Sequence, residues 1–218
     1  MREYYKYTQL LSSQCRELKW HTNELFSSAS FNTIKISCFK EIISLWCKGV
    51  STMELSKFNA LDVVIVAGLP GSGKSHFAEA YFQDTDRKRV NRKEIRRSLY
   101  EMTYFGKKWK EEYFHETDEF LVKHVERKII EQLLQTNQKV LIDNTSVTVS
   151  SRKNYIGIVH NLKKTIGIIF MKVPLRECLK RNESREDSVP GIVITNLAAA
   201  LVIPEIGEGY KEVLIVGS

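Results

Sequence analysis

The chain has 218 residues and a mass of 25.2 kDa, with 43% hydrophobic and 27% charged residues, so it holds enough apolar material for one sizeable folded domain and is not globally disordered. The longest apolar stretch, 192–204, is too short to span a bilayer and is broken by Thr195-Asn196, so no membrane-spanning helix is expected. Thirty-three Lys and Arg against 26 Asp and Glu give a net charge of +7, which suits an anionic partner only if the excess is concentrated somewhere.

Residues 1–56 read as an amino-terminal helical extension. Ile36, Phe39, Ile42, Ile43, Trp46 and Cys47 recur at helical spacing over 36–48, and 10–25 is a second helix candidate. No chemical motif falls there, and packing or partner docking is its expected role. The start of the chain carries an acid and leads into no apolar core, so a secretory leader is not expected and the cytoplasm is the expected location. The four cysteines (15, 38, 47 and 178) form no CxxC pair and read as buried thiols rather than a disulfide or zinc framework.

Residues 57–218 alternate strand and helix signals. Val63-Val-Ile-Val-Ala67 is a β-branched run of the kind buried on both faces of a parallel sheet. A helix is predicted over 74–82, a short strand over 89–91 and a helix over 92–102. A long helix over 109–135 would carry Phe120, Leu121, Val125, Ile129, Leu133 and Leu134 on one face. Strands follow at 140–143, 166–173 and 213–216, with helices near 152–162, 175–183 and after Pro190. The expected fold is therefore α/β: about five mainly parallel strands flanked by helices, with ligands beyond the strands' carboxyl ends.

The strongest motif is Gly68-Leu-Pro-Gly-Ser-Gly-Lys-Ser75, a complete GxxxxGKS between a buried strand and a helix. Gly68, Pro70, Gly71, Ser72 and Gly73 would curl the backbone so that amide groups converge on phosphate oxygens, with His76 close by. Lys74 would reach the β- and γ-phosphates of ATP, and the Ser75 hydroxyl would bind Mg²⁺. Asp143, at the end of a predicted strand, is either a second Mg²⁺ ligand or a cap on the following turn. Arg181 and Arg185, four apart, would share one face of a continuing helix. They form either a phosphate-contacting lid or a solvated basic face. The charge excess is concentrated at 87–97 (RKRVNRKEIRR), where seven of eleven residues are basic and one is acidic. Cations at a helix start oppose its dipole, so this cluster needs an anion such as ATP or a nucleic acid end.

Taken together, the motifs at 68–75, 90–96 (VNRKEIR), 142–145 (IDNT), 173–182 (VPLRECLKRN), Arg185, Val189-Pro190 and Glu208-Gly-Tyr210 resemble those of the phage-type P-loop polynucleotide 5′-hydroxyl kinases and the wider set of small kinases sharing their fold. The resemblance covers residues 62–216. It implies that Arg181 and Arg185 belong to the lid, and that Arg96 contacts the acceptor's phosphate, with Arg92 and Lys93 beside it. It implies transfer of the γ-phosphate to a hydroxyl, foremost a polynucleotide 5′-OH. A small-molecule or modified-nucleoside kinase, or an ATP-binding module with little turnover, are the alternatives. One departure stands out: the resemblance calls for an aspartate base where Lys93 stands, and a lysine is protonated near neutrality. Glu94 is a candidate substitute base, although Asn91-Arg-Lys-Glu94 also reads as an Asn-capped helix start.

Overall fold

A computed structural model of the chain describes residues 52–185 and 187–217. The helices expected over 10–25 and 36–48, and Cys15, Cys38 and Cys47, lie outside them.

Strand β1 (Val63–Gly68) is buried at all six positions and pairs in parallel on both sides, which is why its sequence shows no polar alternation. The helices and strands that follow are α2 (Lys74–Phe82), β2 (Lys88–Val90), α3 (Arg92–Thr103), α4 (Glu119–Gln135), β3 (Val140–Asp143), α5 (Val149–Asn161), β4 (Ile166–Met171), α6 (Leu175–Glu183), α7 (Gly191–Ala199) and β5 (Glu212–Val216). Helix α1 (Thr52–Asn59) precedes them. The five strands form one parallel sheet, as the sequence implied, and the structure sets their order as β2-β3-β1-β4-β5. Register pairs Val66 of β1 with Asp143 of β3, so the loop leaving β1 and the carboxylate ending β3 emerge side by side. Backbone bonds from Gly68 N to Thr145 O (2.9 Å) and from Asn144 N to Val66 O (3.3 Å) carry that pairing past the strand ends.

The chain between β2 and β3 differs from expectation. The single helix expected over 109–135 is two elements, a 3₁₀ turn at Glu111–Glu116 and then α4, because Asp118 caps α4 by accepting from Leu121 N at 3.0 Å. The buried face of α4 is also rotated. It consists of Val122, Glu126, Ile130 and Leu134, whereas Phe120, Leu121 and Ile129 are exposed. An acidic side chain inside the core-facing stripe is what misdirected the periodicity.

Helix α1 straddles the boundary expected near residue 56. Phe58 and Leu61 are buried, and a Cβ on Gly167 of β4 would lie 2.5 Å from Leu61 Cδ1 and 3.0 Å from Phe58 Cε1. The Arg87 guanidinium donates to the carbonyls of Phe58 (2.5 Å) and Leu61 (2.8 Å), closing the carboxyl end of α1. Among the described residues no helix is long and apolar enough to cross a membrane.

Arg152 of α5 is fully buried. It donates to Glu208 through Nε (2.8 Å) and Nη2 (2.6 Å), and to the carbonyls of Val147 (3.1 Å) and Val202 (2.9 Å). The 3₁₀ turn Ile206–Glu208 that supplies the carboxylate leads into β5, so this pair joins the last strand's entry to α5. Truncating one partner of such a pair strands the other charge. Glu208→Ala is therefore expected to lower unfolding stability by about 3–5 kcal/mol, read as a lower urea midpoint at unchanged slope. A loss below about 1 kcal/mol would show that the pair does not hold the fold.

Candidate active site

Between β1 and α2 the chain makes a phosphate-loop turn. Gly71 and Gly73 adopt φ of 80° and 91°, the left-handed region that side chains avoid, and a Cβ on Gly71 would collide with the Cys178 carbonyl of α6. Pro70 stands in the turn that precedes them. Gly73 caps α2 without any side chain, so the first amide groups of α2 keep no side-chain partner. Lys74 folds back over the loop and donates from Nζ to Leu69 O at 2.7 Å. Desolvation pulls its ammonium from the ordinary 10.5 to about 8; the Asp143 charge pulls it upward and the Arg185 charge downward. Ser72 Oγ is buried with no hydrogen-bond partner. Ser75 and His76, on the first turn of α2, are exposed. Ser75 lines a cavity of about 430 Å³ together with Glu79, Arg87, Arg89 and Leu141.

Asp143 stands at the end of β3 with its two oxygens used differently. Oδ2 accepts from Arg89 Nη2 (2.7 Å), Arg89 Nε (3.1 Å) and Asn91 Nδ2 (3.2 Å), while Oδ1 is equally buried and has no partner. Asn91 also donates to Asp143 O at 2.8 Å and caps α3 by accepting from Glu94 N at 3.2 Å, the cap read from the sequence. Strand β2 ends one residue before its expected limit because Asn91 leaves the sheet for this task. Arg92 N donates to Asn144 Oδ1 at 2.9 Å. Helix α3 is thus fastened at its first turn to the end of the strand that carries Asp143.

Four side chains support that fastening. Asn144 Nδ2 donates to Glu126 Oε1 (2.5 Å) and to Tyr155 Oη (2.9 Å), and Tyr155 Oη donates to Glu126 Oε1 (2.9 Å). Arg92 donates to Glu126 Oε2 through Nη2 (2.6 Å) and Nε (2.9 Å), and to Tyr155 Oη (2.8 Å). Burial and the Glu126 charge push the Tyr155 hydroxyl well above its ordinary range, so it remains a donor.

The remaining expected site residues fall as follows. Arg92, expected at the acceptor, is turned into the Glu126 network. Lys93 lies between Glu111 Oε1 (3.0 Å) and Asp187 Oδ2 (2.9 Å). Arg96 pairs with Glu119 and sits over the Phe114 ring, 5.0 Å from its centroid. Glu94 is exposed, with Arg89 Nη1 donating to it at 2.7 Å. Arg181 Nη1 reaches Gly71 O at 3.5 Å and so touches the phosphate loop. Arg185 does not continue the helix as expected: α6 ends at Glu183, and Arg185 follows its cap, Ser184, paired to Asp187. Burial raises the Asp187 carboxyl, but the Lys93 and Arg185 contacts outweigh it and hold the group below the usual range.

Sequence reasoning missed Arg89, Glu111, Glu126, Tyr155 and Asp187. Glu126 alone left a signal, as the one charge among the apolar positions of α4. Among the described residues no cluster of three or more His, Cys, Asp or Glu could hold a metal unaided.

A triphosphate bound at this loop would favour the charged form of Lys74. The unliganded protein holds that lysine at about 8, so binding should draw protons from solution near and above that pH. Calorimetry of ATP binding at about pH 8.5, in two buffers of different ionisation enthalpy, should report proton uptake that Lys74→Arg, cationic throughout, abolishes. Equal uptake in both proteins would contradict the assignment.

Residues 63–202, well over half of the chain, match the AAA_33 family, described as an AAA domain. The chain is 28% identical over 135 residues to the L-seryl-tRNA(Sec) kinase of Methanococcus maripaludis, covering 62% of this chain and 50% of that protein. Among solved structures it is similar to a chain of the Pnkp1/Rnl/Hen1 complex, at 25% identity and a TM-score of 0.42 over 55% of this chain and 38% of that one. It is also similar to Chaetomium thermophilum Kti12 in complex with ADP-AlF3, at 14% identity and a TM-score of 0.50, covering 71% and 88% of the two chains. The Kti12 likeness is one of fold, and the chain spans about half the length of the curated relative it matches. With the phosphate loop, its lysine and the parallel sheet in place, the chain belongs to the AAA_33 family.

Proposed function

We propose that the chain is an ATP- and Mg²⁺-dependent kinase that moves the γ-phosphoryl group to a hydroxyl borne by a nucleic acid, foremost a polynucleotide 5′-OH. The observation that carries the catalytic half is Asp143 Oδ1, a buried carboxylate oxygen with no partner beside the phosphate loop. A buried polar atom left bare is costly unless a ligand completes it. Oxygen is the donor that Mg²⁺ takes, and the cation ordinarily shares its shell with substrate phosphates, which suits Asp143 Oδ1 and the exposed Ser75 hydroxyl. When bound, Mg²⁺ would neutralise phosphate charge. The backbone at Gly71, Ser72 and Gly73 and the Lys74 ammonium would hold the β- and γ-phosphates. Arg181 and Arg185 would meet the charge of the migrating group from the α6 side. The acceptor oxygen forms the new bond to the γ-phosphorus and releases its proton to water, while the bond to the β–γ bridging oxygen breaks and that oxygen leaves with ADP. Such transfers depend mainly on positioning and charge neutralisation, so they proceed without a strong base at Lys93.

Two observations support a nucleic acid acceptor. The chain is similar to a kinase that acts on L-seryl-tRNA(Sec), and its basic residues concentrate where α3 begins. A second reading, a small-molecule acceptor, is favoured by the ion pairing of Arg92, Lys93 and Arg96 with this chain's own carboxylates. Incubating labelled ATP with 5′-hydroxyl DNA and RNA, seryl-tRNA and a panel of small polyols separates the two. The proposal expects label on nucleic acid, a fall of about 10²–10³ for Lys74→Ala, and acceptor affinity that drops steeply with salt. Lysine-dependent label confined to small acceptors would establish the second reading instead.

A further inference from the structure

Four charges alternate in sign across three separate stretches of the site. Glu111, in the turn before α4, lies 3.0 Å from the ammonium of Lys93 on α3. Lys93 Nζ donates to Asp187 Oδ2 (2.9 Å) and to Asp187 O (3.2 Å), beyond α6. Asp187 in turn accepts from Arg185 Nε on Oδ1 (3.1 Å) and from Arg185 Nη2 on Oδ2 (3.4 Å).

An ammonium has three N–H donors, and three oxygens face that of Lys93. Its nitrogen also lies 6.0 Å from the Trp109 ring centroid. No donor is left for a substrate anion, so Lys93 is poorly placed to grip an acceptor. At the other end of the chain of charges, Arg185 follows the end of α6, whose Arg181 reaches Gly71 O of the phosphate loop at 3.5 Å. A guanidinium has five N–H groups; two are given to Asp187, which leaves three to meet phosphate oxygens without breaking the pair. The segment beyond α6 is closed locally by Asn182, which accepts from Val189 N (2.9 Å) and donates to Val189 O (2.6 Å). Asn182 therefore ties the segment to its own helix. Lys93 ties it across to α3.

We propose that Lys93 is a positioning residue of the phosphoryl-transfer site: through Asp187 it holds Arg185 beside the phosphate loop before ATP arrives. This rests on the nucleotide reading above. Arginine loses much rotamer freedom when a ligand immobilises it, and a guanidinium already fixed by a bidentate carboxylate has less to lose. Glu111 completes the device by bracing Lys93 from the opposite side, so the four charges act as one strut between α3 and the segment beyond α6.

The test compares wild type with Lys93→Met, Lys93→Arg, Asp187→Asn and the Lys93→Met/Asp187→Asn pair. ATP affinity is read by a fluorescent ATP analogue, and hydrogen exchange of the Val189 amide is read without nucleotide. Lys93→Met and Asp187→Asn should each weaken ATP binding by about three- to tenfold. The pair should be no weaker than either single variant, since both break one strut. Lys93→Arg should stay within about twofold of wild type, a rescue that loss of packing alone would not give. The Val189 amide should exchange several-fold faster in Lys93→Met. Unchanged ATP affinity in Lys93→Met, additive losses in the pair, or equal Val189 exchange overturns the proposal. If the wild type does not bind ATP, the nucleotide reading fails, and the exchange comparison still decides whether Lys93 anchors the segment.

Discussion

The site depends on how the carboxylate of Asp143 is divided. One oxygen takes three hydrogen bonds from Arg89 and Asn91, and this fixes the side chain completely. The other is buried and bare. Because Asp143 is paired in register with Val66, two residues before the loop's first glycine, a rigid carboxylate is delivered to the mouth of the phosphate loop by sheet geometry alone. The same residues that hold it also start α3: Asn91 caps the helix and bonds Asp143, and Arg92 N bonds Asn144. The phosphate loop and the start of α3 are therefore referenced to one strand end. A displacement of β3 would disturb both.

Beneath this lies a change in what the basic cluster means. Read as a string, 87–97 promises a strong positive surface. In the fold, Arg87 closes α1, Arg92 is neutralised by Glu126, Lys93 by Glu111 and Asp187, and Arg96 by Glu119. Arg89 is shared between Asp143 and Glu94. Cations at the start of a helix oppose its dipole, and the fold answers that cost chiefly with carboxylates of its own. The cluster positions elements as much as it offers charge to a partner. Nucleic acid binding, where it occurs, must then draw on displacement of these pairs or on charges outside them.

What the sequence made legible follows from how local each signal is. The phosphate loop, β1 and β3 were readable because glycine punctuation and unbroken β-branched runs are contiguous, and the parallel sheet followed from the alternation of such runs with helices. The Asn91 cap was readable for the same reason. The face of α4 was not, since Glu126 is buried by partners at positions 92, 144 and 155 that no local pattern connects to it. Nor could spacing find the Lys93–Asp187 contact, which joins residues 94 positions apart. Arg185 looked helical because four-residue spacing is a helical signal, yet Ser184 ends α6 first. The two helices expected at 10–25 and 36–48 lie outside the described residues.

The central claim is that the bare oxygen of Asp143 awaits a phosphate-bound cation. Its most direct measurement is ATP affinity with and without Mg²⁺, in wild type and in Asp143→Asn, which keeps the side chain's shape and removes its charge. Mg²⁺ should strengthen ATP binding to the wild type by about tenfold or more and do little for the variant. An equal Mg²⁺ effect in the two proteins would contradict the account.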